Sequence, residues 1–171
     1  MTKTRFKKLQ DAIKIYGAAA FENLMRCKGL GEAIVSGFST YMGCDKDCVK
    51  AVPPEGAFDP RKDYGDDAFS YSQREVIVLE PIRFALALTI DNSEDSGALW
   101  LRTAIGVEVT GDNFDIFIAE QPVIRVSLDY KGKLEPVFEA IYEEFMRIFK
   151  VEVLEFNDKR FATGIGFLPK T

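Results

Sequence analysis

Histidine is absent from all 171 residues of the chain. That excludes the Ser-His and Cys-His dyads, imidazole acid/base chemistry and any metal site that needs a histidine ligand from this chain. Catalysis here would have to use carboxylates, lysine, tyrosine, cysteine or arginine. Cysteine is scarce: Cys27, Cys44 and Cys48 are an odd number, and no Cys-x-x-Cys knuckle occurs. Asp45 and Asp47 stand beside Cys44 and Cys48 and disfavour a thiolate, so all three read as ordinary free thiols. Free thiols suit a reducing compartment, and the expected location is the cytoplasm. No metal and no cofactor is expected.

Long apolar runs are missing as well. The strongest, Phe84 to Ile90, is bracketed by Arg83 and Asp91 and is far too short to cross a bilayer. The opening MTKTRFKKLQDAIK meets Asp11 and Lys14 where an export signal needs an unbroken apolar stretch, so neither a membrane span nor a signal is expected. There is no phosphate-binding glycine loop and no nucleophile elbow. Gly29-Leu30-Gly31 has neither the third glycine nor the preceding strand of a dinucleotide fingerprint. Asp91 to Gly97 alternates oxygen ligands like a calcium loop, but its glycine comes late and no bidentate glutamate follows, so it reads as a solvated turn. Positive charge is in deficit: 22 Lys and Arg against 27 Asp and Glu leave −5, which disfavours nucleic acid and anionic lipid as partners. The one basic cluster, Lys3, Arg5, Lys7 and Lys8, reads as a solvated helix tip.

What is present is a core. Apolar residues make up 47% of the chain, 14 of them Phe, enough for one domain over residues 1–171 without disulfides. From Thr4 to Lys28 apolar residues recur at Phe6, Leu9, Ile13, Tyr16, Ala20, Leu24 and Cys27, the spacing of one helical face. Gly29-Leu30-Gly31 predicts a break, with a second helix from Glu32 to about Gly43. Residues 43–73, rich in Pro, Gly and Asp, predict a long polar loop.

The period then changes to two. Ile82, Phe84, Leu86, Leu88 and Ile90 alternate with Arg83, Ala85, Ala87 and Thr89, and Leu99 to Val109 repeats the pattern opposite Trp100, Arg102, Ala104, Gly106 and Glu108. Gly111-Asp112 fits a two-residue turn that pairs Val107 with Ile116 and Gly106 with Phe117. A further strand returning after Pro122 would match Ile118 with Ile124 and set Phe117 beside Arg125. Pro81 argues for a sheet edge or bulge at the first long strand. Helical spacing returns over Glu135 to Phe149, and Val151 to Phe156 with Phe161 to Phe167 suggests a last hairpin, weakened by Gly164 and Gly166. The expected fold class is α+β: N-terminal helices, a four-stranded antiparallel meander, and a covering helix.

The meander's second face carries the candidate chemistry. Arg83, Phe117 and Arg125 would stand together, with Arg102 and Trp100 on the same face and small residues Ala85, Ala87, Ala104 and Gly106 between them. Arginines beside a floor of small side chains suit a carboxylate or phosphate group. A large exposed aromatic such as Trp100 asks for a cover or a partner. The expected function is a non-catalytic binding or adaptor domain for a small anionic ligand or a protein segment. One alternative is a small enzyme using Glu108 and Asp115, which the hairpin register sets opposite one another; another is a homodimer closed over Trp100.

Overall fold

In the computed structural model, residues 2–91, 97–150 and 163–169 are described. The Thr4 hydroxyl accepts from the amide of Lys7 at 3.1 Å and caps helix α1, Arg5–Met42, which ends on Gly43 in the left-handed region. The 38 residues are continuous, about 57 Å long. The break expected at Gly29-Leu30-Gly31 does not occur. Gly31 serves close packing instead: a Cβ there would fall 2.9 Å from the ring of Phe69 and 3.2 Å from that of Phe84. The glycine lets the helix lie against two aromatic rings, and that contact outweighs its poor helix propensity.

Residues 43–73 are not a single loop. They hold strand β1, Val49–Val52, and three short 3-10 helices. Four residues among prolines and aspartates give too little alternation to be read as a strand, and β1 is fixed by pairing with the next one. The meander follows as expected: β2 Ile82–Asp91, β3 Gly97–Thr110, β4 Asn113–Ile118 and β5 Ile124–Ser127, all antiparallel, in the order β1-β2-β3-β4-β5. β1 pairs only with Ala85 to Leu88, so the start of β2 beside Pro81 lies beyond it, and the amide of Arg83 donates to the Ser70 hydroxyl at 2.9 Å.

Gly111 takes a φ of +61° in the two-residue turn, and Gly106 pairs with Phe117. The β4–β5 register differs from expectation by two residues. Ile116 pairs with Ile124, and Arg125 stands opposite Asp115 rather than Phe117. A slip of two keeps every side chain on its face, so alternation cannot detect it. The Arg125–Asp115 ion pair favours the observed register, as does the turn in which the amide of Gln121 donates to Ile118 at 2.8 Å.

Helix α2, Glu135–Ile148, starts with Pro136 in its first turn. Strand β6, Thr163–Pro169, pairs antiparallel with β3 in line with β4. The other arm of the expected last hairpin, and the turn at 92–96, lie outside the described residues.

The core fills the first face of the sheet. Phe84, Leu86, Leu101, Ile105, Val107, Phe114, Ile116 and Ile118 meet Cys27, Leu30, Ile34 and Phe38 of α1 and Val137, Ile141, Phe145 and Ile148 of α2. One carboxylate is buried within it. Glu144 accepts from Gln121 at 3.0 Å, from Thr163 at 2.8 Å and from the Arg147 guanidinium, and Thr163 bonds Thr103 at 2.9 Å. This network ties α2 to β3 and β6. No helix among the described residues is long and apolar enough to cross a membrane.

Candidate functional site

Register determines what the second face of the sheet presents. Arg83, Gly106 and Phe117 form one row across β2, β3 and β4, and Arg125 enters from the next row with Glu108 and Asp115. Each arginine has its own carboxylate: Arg83 holds Glu55 at 3.0 Å and Arg125 holds Asp115 at 2.9 and 3.3 Å. The Arg125 guanidinium keeps the Asp115 carboxyl below the usual carboxylate range, and Asp115 raises Arg125 in return. Glu108 and Asp115 do stand opposite one another. A carboxyl pushed down by a bidentate arginine is a base already neutralised, the reverse of the raised acid that a catalytic pair requires.

Arg102 and Trp100 belong to a separate arrangement. Arg102 donates to the carbonyls of Gly56 at 2.9 Å and Pro53 at 3.3 Å, and its guanidinium lies 4.1 Å from the centre of the Phe58 ring. Burial lowers its pKa. Phe58 also meets Trp100 edge-on at 4.8 Å. The space expected above Ala85 and Ala87 is filled: both pack with Val52, Phe58 and Tyr64. Sequence alternation reveals the small floor of this face but not the segment that folds over it.

Burial, with a smaller contribution from Glu108, pushes Cys27 up to about 12, and burial raises Cys44 as well. Among the described residues no group of three or more Cys, Asp or Glu is placed to hold a metal.

A cleft that the sequence reading missed lies on the helical side. Between α1, the loop after β5 and the first turns of α2 is a cavity of about 850 Å³, lined by Ala33, Tyr41, Leu128, Tyr130, Leu134 and Phe138 among others. Gly37 is part of the lining and lets Phe138 pack against α1, since a Cβ there would fall 2.4 Å from the Phe138 ring. Tyr41 stacks on Phe38 at 6.1 Å and meets Phe138 at 5.6 Å. Tyr142, Met146 and Phe149 continue from Phe138 at spacings of four, four and three and are exposed. Asp129, Lys131 and Glu135 are the charged residues of the lining, and Glu139 and Glu143 of α2 act on Tyr41 from beside it. Burial first, and then Glu139, Glu135, Tyr142 and Glu143, raise the phenol of Tyr41.

The signal was present in α2. Val137, Ile141, Phe145 and Ile148 form the buried stripe, while Phe138, Tyr142, Met146 and Phe149 repeat it one residue on. A helix apolar at both sets of positions has two faces to cover, and the sheet accounts for only one. A second cavity, of about 620 Å³, has two ion pairs in its lining, Lys50 with Asp63 and Lys28 with Asp66, the latter 2.7 Å apart.

No protein-family model matches the chain, and neither a curated protein nor a solved structure matches it.

Proposed function

We propose that the chain is a non-catalytic binding or adaptor domain that receives a basic amphipathic helix of a protein partner in the groove between α1 and α2. The observation that carries this reading is the apolar cleft beside Tyr41 and Phe138, with the exposed side chains of Tyr142 and Met146 following Phe138 along α2. A groove of this kind takes a helix whose anchors recur at i, i+3 or i+4, and i+7. Glu135, Glu139 and Glu143 along its edge favour lysine and arginine on the helix's flanks. The free thiols support a reducing setting, and the cytoplasm is part of the same proposal.

The test is a fluorescence-anisotropy titration with a model peptide: leucines at i, i+3, i+7 and i+10, lysines elsewhere. It should bind the intact chain and lose most of its affinity to Tyr142→Asp/Met146→Asp. Equal binding to both proteins would reject the groove.

A second reading keeps the sheet's second face as a site for a carboxylate or phosphate group. Its support is the exposure of the Arg83 and Arg125 side chains, 51% and 60%, on either side of half-exposed Phe117. Each guanidinium is held by an exchangeable surface ion pair. Calorimetry with inorganic phosphate against Arg83→Ala/Arg125→Ala tests it: heat lost in the variant supports the site, and no heat with the intact chain removes it.

A further inference from the structure

The apolar stripe of α1 does not stop where the sheet stops. Ala20, Leu24, Cys27, Leu30, Ile34 and Phe38 are buried against the body. The same stripe continues toward the start of the helix as Tyr16, Ile13, Leu9 and Phe6, where Ile13, Leu9 and Phe6 are 69%, 65% and 70% exposed. Among the described residues, Tyr16 makes the hydrogen bond to the body nearest the start of the helix, its hydroxyl accepting from the amide of Leu79 at 2.9 Å. Beyond it three turns of helix carry large apolar side chains with no described residue over them. Large exposed side chains in register along one helix face mark a contact surface.

The occupant is indicated by charge and shape. Residues 2–19 carry Lys3, Arg5, Lys7, Lys8 and Lys14 against Asp11, a net of +4, which leaves −9 on the remainder of a chain whose total is −5. Two such tips laid together would set like charges against each other. In another copy Asp129, Glu135, Glu139 and Glu143 lie in or beside the groove against the single Lys131, a balance that attracts such a tip, and the groove takes anchors spaced as Phe6, Leu9 and Ile13 are. Lengths agree as well: residues 5–19 span about 22 Å and α2 about 21 Å.

Resting on the groove reading above, we infer that the first turns of α1 dock in the α1–α2 groove of a second copy of this chain, and that the exchange is reciprocal. The copy that receives a tip returns its own to the same partner, so the assembly closes as a two-fold dimer rather than a filament. Phe6, Leu9 and Ile13 supply the apolar anchors, Tyr142 and Met146 receive them, and the lysines meet Glu135, Glu139 and Glu143.

Sedimentation velocity across a wide concentration range tests this with the full chain. The intact protein is expected at twice 19.2 kDa, with the dimer weakening as salt is raised. Leu9→Asp/Ile13→Asp should sediment as a monomer with its helix content unchanged, and so should Tyr142→Asp/Met146→Asp. Mixing the two variants restores one intact tip and one intact groove, so a heterodimer should form, detectable with a mass tag on one partner. An intact chain that stays monomeric at every concentration overturns the inference, as does a dimer that survives the tip variant, or a mixture that gives no heterodimer. A monomeric chain that still binds the model peptide would end the self-docking inference alone; a chain that binds no peptide would end the groove reading with it.

Discussion

The indole of Trp100 occupies the space above Gly166: a Cβ on that glycine would fall 2.2 Å from Cε2 of the ring. β6 and β3 pair Trp100 with Gly166 directly, so the glycine that weakens the strand by propensity makes the slot that seats the tryptophan. Phe58 packs edge-on against the same indole at 4.8 Å. The cover that Trp100 calls for comes from within the chain. Gly166→Ala should therefore destabilise the protein by about 1–3 kcal/mol and shift its tryptophan fluorescence. Gly164→Ala, whose Cβ would sit at an ordinary 3.7 Å from the same ring, should do far less. Urea unfolding followed at the single Trp reads both.

The glycines of α1 divide in the same way. Gly17 has nothing within 4 Å of a new Cβ, so Gly17→Ala should stabilise the helix by about 1 kcal/mol. Gly31→Ala gains the same propensity but drives a methyl into Phe69 and Phe84, both buried, and should come out destabilising. Thermal melts of the two variants should move in opposite directions.

These residues also mark how far the sequence could be read. Period-two alternation from Ile82 to Ile118 and the Gly111-Asp112 turn specify the meander and its first registers, because a shift of one residue would turn the apolar set outward. The same logic is blind to a shift of two, which is why Arg125 was expected beside Phe117 and stands opposite Asp115. Glycine is ambiguous in sequence: Gly29 to Gly31 reads as a helix break until Phe69 and Phe84 are known to press there. Of the expected site residues, Arg83 and Phe117 share a row, while Arg102 and Trp100 hold down residues 53–58. That contact joins residues more than forty positions apart, and no local pattern encodes it.

Glu144 titrates with a definite sign. Burial pushes its carboxyl up, but bonds from Arg147, Gln121 and Thr163 to the charged form outweigh it, and the group lies below the ordinary glutamate range. A depressed native pKa gives stability that is complete above the unfolded value, about 4.3, and is lost as pH falls through the native one. Glu144→Ala should cost about 3–5 kcal/mol at neutral pH, because Arg147 loses its buried partner and Thr163 an acceptor. The gap between it and the intact protein should narrow on acidification. Urea unfolding across the acid range measures it.

Thiol reactivity follows from burial. With its pKa pushed up to about 12 inside the core, Cys27 should resist iodoacetamide at mildly alkaline pH. Cys44 and Cys48, both partly exposed, should be the sites modified in the native protein. Mass spectrometry should show a third adduct only after unfolding. Rapid native labelling of Cys27 would mean that α1 opens from the sheet.

The most direct test of where this chain binds is amide NMR of the isotope-labelled protein titrated with the basic amphipathic model peptide. Shifts confined to the residues lining the groove, Ala33 to Tyr41 on one side and Leu128 to Phe138 on the other, and to Tyr142 and Met146 beyond them, are the predicted result. Shifts centred on Arg83, Gly106, Phe117 and Arg125, with the groove unmoved, would contradict it and return the site to the second face of the sheet.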